Sequence, residues 1–368
     1  MELRQAAGSL MVVGLGGTEL TGLERAWLRL ARPAGIILFR RNIESAPQTH
    51  ALLDAATGVC AEHALRCVDL EGGTVDRLKI ALTAMPSAQA VAQAARSKNR
   101  PRLAYQHGEL IARAVKAFGF NTTLAPVLDL GLPISATVMG SRTAGATAEE
   151  VVAYARPFLA ALAAAGVASC GKHFPGLGGG TLDSHLATPA IERSFQQLWR
   201  EDLAPYRELV GELPMTMISH ASFPQTRSKA TPASIAPFWI ATVLRKRIGY
   251  RGLVFSDDLE MGGILNYLPI EEAAVEAIRA GMDLIEICHS AELILRAFEA
   301  LIREAERSRV FRTLLVARAR SAQRKRAKLF VARPTSVPTA RQIDALQAKI
   351  ESFAALIAKL NPLEAASA

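Results

Sequence analysis

Three stretches of this 368-residue chain carry side chains able to do chemistry at close spacing. The first is Lys172-His-Phe-Pro-Gly-Leu-Gly-Gly-Gly-Thr-Leu-Asp-Ser-His185. A Lys-His pair is followed by Gly176, Gly178, Gly179 and Gly180, then by Asp183 and His185 two residues apart. A carboxylate next to an imidazole orients the ring and supports its charged form, so the pair reads as a proton shuttle. Four glycines in five positions predict a loop able to move, with a phosphate-binding glycine loop as the competing reading. The second stretch, Gly252-Leu-Val-Phe-Ser-Asp-Asp-Leu-Glu-Met261, delivers Asp257 and Asp258 after an apolar run. Neighbouring side chains diverge along an extended chain, so only one of the two can face a given substrate atom. One is a candidate nucleophile or base, and the other braces a loop or caps the next helix. The third stretch, Val68-Asp-Leu-Glu-Gly-Gly-Thr-Val-Asp-Arg77, supplies Asp69 and Arg77, and Gly140-Ser-Arg142 adds another cation. Each cation taken singly reads as a solvated loop charge. Together they form the mixed Asp, Arg, Lys and His set that commonly holds sugar hydroxyls.

Positioning these groups requires a scaffold, and eight short apolar runs provide one. They are Leu10–Leu15, Gly35–Phe39, Leu65–Asp69, Asn121–Val127, Val167–His173, Met215–His220, Gly252–Asp257 and Met282–Cys288. Runs of this kind suit strands buried on both faces. Segments with helical periodicity lie between them, among them Thr147–Ala164, Phe195–Val210 and Ile270–Ala280. Eight strands alternating with helices predict an α/β fold, a (β/α)8 TIM-type barrel forming a single catalytic domain with a C-terminal helical extension. A doubly wound sheet would show a GxGxxG turn after its first strand, and Gly14-Leu-Gly-Gly-Thr lacks that spacing. Asp69, Asp129, Lys172, His173, Ser219, His220, Asp257, Asp258 and His289 all fall at or just past the ends of candidate strands. Barrel enzymes build their sites on that face. The boundaries expected are 1–300 for the barrel, 301–333 for a basic amphipathic helix, and 334–368 for a linker and a terminal helix. The apolar stripe Ile343, Leu346, Ile350, Phe353, Leu356 and Ile357 should pack that last helix on the barrel or on a partner.

Composition excludes several other classes. Half the residues are apolar and 21% are charged, which suits a packed globular chain. The longest uncharged stretch, Ile80–Ala95, is too short and polar for a membrane span. No convincing signal peptide opens the chain, and Cys60, Cys67, Cys170 and Cys288 have no paired spacing. Reduced thiols and a cytoplasmic location are therefore expected. The net charge of +9 is confined to one segment, since residues 303–333 hold eleven Arg or Lys and two Glu. With few aromatics among them, these cations read as the solvent face of a helix rather than a nucleic-acid site.

The motifs resemble glycoside hydrolase family 3, and within it the bacterial β-N-acetylhexosaminidases of the peptidoglycan-recycling type. The Lys172–His185 loop, Ser256-Asp-Asp-Leu259, Gly35-Ile-Ile-Leu-Phe39, Leu124-Ala-Pro-Val127 and Pro232-Ala-Ser234 carry the resemblance, over about residues 8–290. It implies a retaining enzyme that removes terminal β-linked N-acetylglucosamine from muropeptides through a covalent intermediate on Asp257. His185 would be the acid/base with Asp183 as its partner, and Asp69, Arg77, Arg142, Lys172 and His173 would bind the sugar. It implies no metal and no cofactor. The partners expected are a small carbohydrate or muropeptide substrate, no nucleic acid and no membrane span, with the chain a monomer. Many relatives carry His where this chain has Leu177, and an Asp-Thr-like pair in place of Gly179-Gly180, which bears on how the loop closes. The alternatives are a family 3 β-glycosidase or a phosphorylase of different specificity. More distant ones are a metal-dependent barrel hydrolase using His173, His185, His220 and Asp69, a Schiff-base lyase using Lys172, and a non-catalytic glycan-binding barrel.

Overall fold

The eight apolar runs close into one parallel barrel. In the computed structural model, which describes residues 1–182, 187–330 and 336–361, they become β1 (Met11–Gly14), β2 (Gly35–Leu38), β3 (Leu65–Val68) and β4 (Thr122–Thr123). β5 (Ala168–Phe174), β6 (Met215–Ile218), β7 (Leu253–Asp258) and β8 (Leu284–Ile287) complete the set. Each pairs in parallel with its sequence neighbours, and β1 pairs with β8 to close the ring. Closure leaves no edge strand. Helices cover the outside, several of them opened by a hydroxyl cap. Thr21 with Glu24 and Thr147 with Glu150 form reciprocal capping boxes that open helices Gly22–Ala31 and Ala148–Ala164.

Two elements depart from the sequence reading. β4 is shorter than the run Asn121–Val127 because Pro126 has no N–H to give the ladder; beyond it the Ala125 and Pro126 carbonyls still accept the Cys170 and Lys172 amides, and Val127 bridges to Lys172. The helix expected over Phe195–Val210 breaks into Phe195–Arg200 and Ala204–Glu208. Between them Asp202 turns inward, 2% exposed, and meets Arg193 at 3.0 Å. Pro205 then starts the second helix, where a missing N–H costs nothing.

The basic helix, Arg309–Leu329, corrects the expectation of a purely solvated cationic face. It packs against helices Leu3–Gly8, Ile270–Ala280 and Ala291–Arg307 and turns three cations inward. Arg326 is fully buried and donates to the Ser9 carbonyl at 3.0 Å. Lys325 reaches Asp283 at 2.8 Å, with Arg318 3.9 Å from the same carboxylate. Asp283 sits just before β8, and Arg245 joins it. A buried acid at the N-terminal end of the barrel needs cations, and the helix supplies them. The last helix, Ala340–Leu360, buries Leu346, Ile350, Phe353 and Ile357 against helices Ala88–Ser97 and Arg102–Ala117. No helix among the described residues is long and apolar enough to cross a membrane. All four cysteines are buried and unpaired.

Candidate active site

β3 and β5 build one wall of the barrel mouth. β5 ends in Lys172 and His173, which are 3% and 5% exposed. Behind β3 the chain turns through a hairpin, Leu70–Gly72 against Val75–Asp76. Gly72 is required there, with φ of +93° and no room for a Cβ against the Pro86 carbonyl. The hairpin sets Asp69, Glu71 and Arg77 around the Lys172 ammonium. Lys172 Nζ lies 2.8 Å from Asp69 Oδ1 and 2.6 Å from Glu71 Oε1, and Arg77 is 3.4 Å from Asp69 Oδ2. Arg142 grips Glu71 through two bonds of 2.9 Å each. Its terminal nitrogen also lies 3.2 Å from His173 Nε2. His173 Nδ1 faces Asp129 Oδ2 at 2.6 Å.

The electrostatics follow from this pairing. Burial alone would raise the Asp69 and Glu71 carboxyls, but the neighbouring cations outweigh it. Arg142 and Lys172 hold Glu71 at about 2, while Lys172, with Arg77, holds Asp69 well below the carboxylate range. Burial would likewise lower Lys172, yet Asp69 and Glu71 push its ammonium up. The wall is therefore a set of permanent, mutually neutralising charges. Arg142 is no solvated loop charge, with its side chain 18% exposed and bidentate on a buried acid.

β7 supplies the opposite character. Asp257 Oδ1 accepts the Asp258 N–H at 3.0 Å, while Asp258 Oδ1 accepts the Glu260 N–H at 3.0 Å and braces the turn. Burial, aided by the nearby Glu260 and Asp257 charges, pushes Asp258 up to about 7. Beneath it on β8 lies Glu286, 2% exposed, whose carboxyl is raised by burial and by Asp258, Asp69 and Asp257.

Asp69, Arg77, Arg142, Lys172 and His173 are thus brought onto one wall at the C-terminal mouth. Asp257 lies at the end of β7 on the same face. Asp183 and His185 lie outside the described residues. The glycine loop before them is closely packed where it is described. A Cβ on Gly178 would fall 2.5 Å from the Leu130 carbonyl oxygen, and one on Gly179 would fall 2.8 Å from Arg193 Cδ. Sequence reasoning missed Glu71, which lay within the third stretch and carried its own signal as the acid of an Asp-Leu-Glu-Gly-Gly run. It also gave Asp129 no role.

Other chemistries fit these contacts less well. His173 is engaged by Asp129 and Arg142, and His220 by Ser234 Oγ at 2.8 Å and the Asp258 carbonyl at 2.9 Å. Asp258, Glu260 and His289 bring ligand-type atoms within 4.8 Å of one another. The Glu260 carboxylate already accepts the His289 and Ser290 amides, and His289 Nδ1 faces Arg41 at 2.8 Å. A guanidinium nitrogen can only donate, so Arg41 already occupies the Nδ1 lone pair that a metal would need. Lys172, held as an ammonium, is a poor Schiff-base nucleophile.

Comparison with known proteins agrees with this architecture. The model of the glycosyl hydrolase family 3 N-terminal domain matches residues 3–319. A β-hexosaminidase of Pseudomonas aeruginosa is 38% identical over 297 residues, covering 80% of this chain and 87% of the relative. A family 3 β-N-acetylglucosaminidase from Paenibacillus superposes with a TM-score of 0.85 at 31% identity, over 96% of this chain and 68% of that one. NagZ from Neisseria gonorrhoeae, solved with N-trifluoroacetyl-D-glucosamine, gives 0.74 at 28% identity, over 96% and 98% of the two chains. The chain belongs to glycosyl hydrolase family 3 and is a glycoside hydrolase.

Proposed function

We propose that this enzyme is a retaining β-N-acetylglucosaminidase acting on terminal β-linked N-acetylglucosamine of peptidoglycan-derived muropeptides in the cytoplasm. The observation that carries the reading is the charged wall of Asp69, Arg77, Arg142, Lys172 and His173 on the face where β7 presents Asp257. A neutral sugar has many hydroxyls and no charge, so it is oriented by fixed donors and acceptors that already neutralise one another. The relative solved with an N-acylated glucosamine, and the hexosaminidases that match most of the chain, support the acetamido sugar.

Asp257 attacks the anomeric carbon, the glycosidic C–O bond breaks, and the leaving oxygen takes the proton from the His185 imidazolium. The neutral imidazole then removes a proton from water as that water displaces Asp257 from the glycosyl ester. Asp183 supports the charge on His185 in the first half.

Turnover of aryl β-N-acetylglucosaminides against aryl β-glucosides tests the assignment. A site that hydrogen-bonds the acetamide should prefer it by on the order of 10⁴-fold in kcat/KM. Comparable values would overturn the hexosaminidase reading. A 5-fluoro glycoside should label Asp257, and labelling of Asp258 would show that the roles of the two acids are exchanged.

A further inference from the structure

Asp129 follows the cut-short β4, is 1% exposed, and has no part in the scheme above. Its carboxylate accepts three N–H groups from two functional segments. Oδ2 takes the His173 amide at 3.1 Å and His173 Nδ1 at 2.6 Å. Oδ1 takes the Leu177 amide at 2.7 Å. His173 belongs to the sugar-facing wall, and Leu177 is at the root of the glycine loop that runs on towards residues 183–185. One rigid carboxylate therefore ties the two together. The packing beside it points the same way, because Gly178 lies against the Leu130 carbonyl and Gly176 against Asp202.

We propose that Asp129 is a positioning residue that sets the root of the glycine loop relative to His173, and so holds the loop-borne acid/base in register with the bound sugar. The proposal rests on the reading of residues 183–185 as the acid/base. Both Oδ2 contacts come from His173, one from its amide and one from its ring, so Asp129 also fixes the imidazole. Nδ1 carries the proton towards Asp129, which leaves Nε2 as the acceptor for Arg142.

Asp129→Asn separates the two halves of the tie. An amide has one acceptor end, and His173 presents two donors where Leu177 presents one. The amide oxygen should stay with His173 and its NH₂ should face the Leu177 N–H, which then loses its partner. Backbone hydrogen exchange over residues 176–182 should accelerate at least about tenfold in the Asn variant. Its kcat on aryl N-acetylglucosaminides should fall by about 10²-fold, with KM within about twofold of wild type. Asp129→Ala removes both ties, and KM should then rise as well. Unchanged exchange over 176–182, or unchanged kcat with faster exchange, overturns the proposal. A parallel loss in kcat and KM in the Asn variant overturns it too, since that is what general loosening would give. Faster exchange in a protein whose wild type hydrolyses no N-acetylglucosaminide would sustain the tie to Leu177 and sink the N-acetylglucosaminidase reading instead.

Discussion

Glu71 and Glu286 are the same side chain at nearly the same burial, 3% and 2% exposed, on two walls of one barrel. Burial works against the charged form of both, and they end on opposite sides of neutrality. Glu71 meets Arg142 and Lys172 within 2.9 Å and stays ionised, at about 2. Glu286 meets the Cys288 thiol at 3.4 Å and lies in the field of three further carboxyls, so it is driven towards the protonated form. The difference teaches where this enzyme keeps charge and where it keeps protons. The wall of β3 and β5 holds permanent ion pairs that serve as oriented polar contacts. The wall of β7 and β8 is rich in acids and poor in cations, and it carries Asp257.

The comparison can be broken most sharply by replacing each glutamate with leucine. Glu71→Leu takes the bidentate partner from Arg142 and leaves Lys172 with only Asp69, which Arg77 already shares, and losing one partner of a buried pair costs roughly 3–5 kcal/mol. Urea denaturation should register that loss, together with loss of sugar binding. Glu286→Leu removes a protonated acid that faces a thiol and other carboxyls, and should lie within about 1 kcal/mol of wild type, or above it. Equal destabilisation by the two would show that their environments do not differ in the way the geometry requires.

The pH dependence of stability sharpens the same contrast. Glu71 has a depressed folded-state pKa, so its contribution is present above about pH 4.5 and fades as pH falls towards 2. Glu286 has a raised one, so the unfolded chain gives up this proton first and stability declines as pH rises above about 4.5. Glu286→Gln should accordingly raise Tm more at pH 7.5 than at pH 4, whereas Glu71→Gln should lower it more at pH 7.5 than near pH 2.5. The same Tm shift at both pH values on Glu286→Gln would show that burial does not hold this carboxyl protonated.

The smallest effect should come from Asp258→Asn. The wild-type carboxyl, pushed up by burial to about 7, adds a negative charge beside Asp257 as pH rises through neutrality. The asparagine variant should retain turnover within about tenfold and lose an ionisation near pH 7 from its kcat/KM profile. Abolished turnover would make Asp258 the reacting acid.

Much of this was legible in the chain itself. A strand buried on both faces is a local apolar run, so the eight strands could be read off directly, from Leu10–Leu15 to Met282–Cys288. Lys172, His173 and Asp257 stood at strand ends, and strand ends converge in a barrel. Ionisation and direction were not legible, because both depend on groups remote in sequence. Arg142 reaches Glu71 across 71 residues, Lys172 reaches Asp69 across 103, and Asp129 holds His173 across 44. The break at Asp202 and the inward turn of Arg318, Lys325 and Arg326 likewise answer to Arg193, Asp283 and Ser9, not to periodicity. The local pattern of apolar and polar residues determined that a barrel forms and which residues reach its mouth. Only the closed barrel decided which buried acid meets a cation and which meets other acids. In a low-dielectric interior that proximity, and not the side chain's own chemistry, sets its charge.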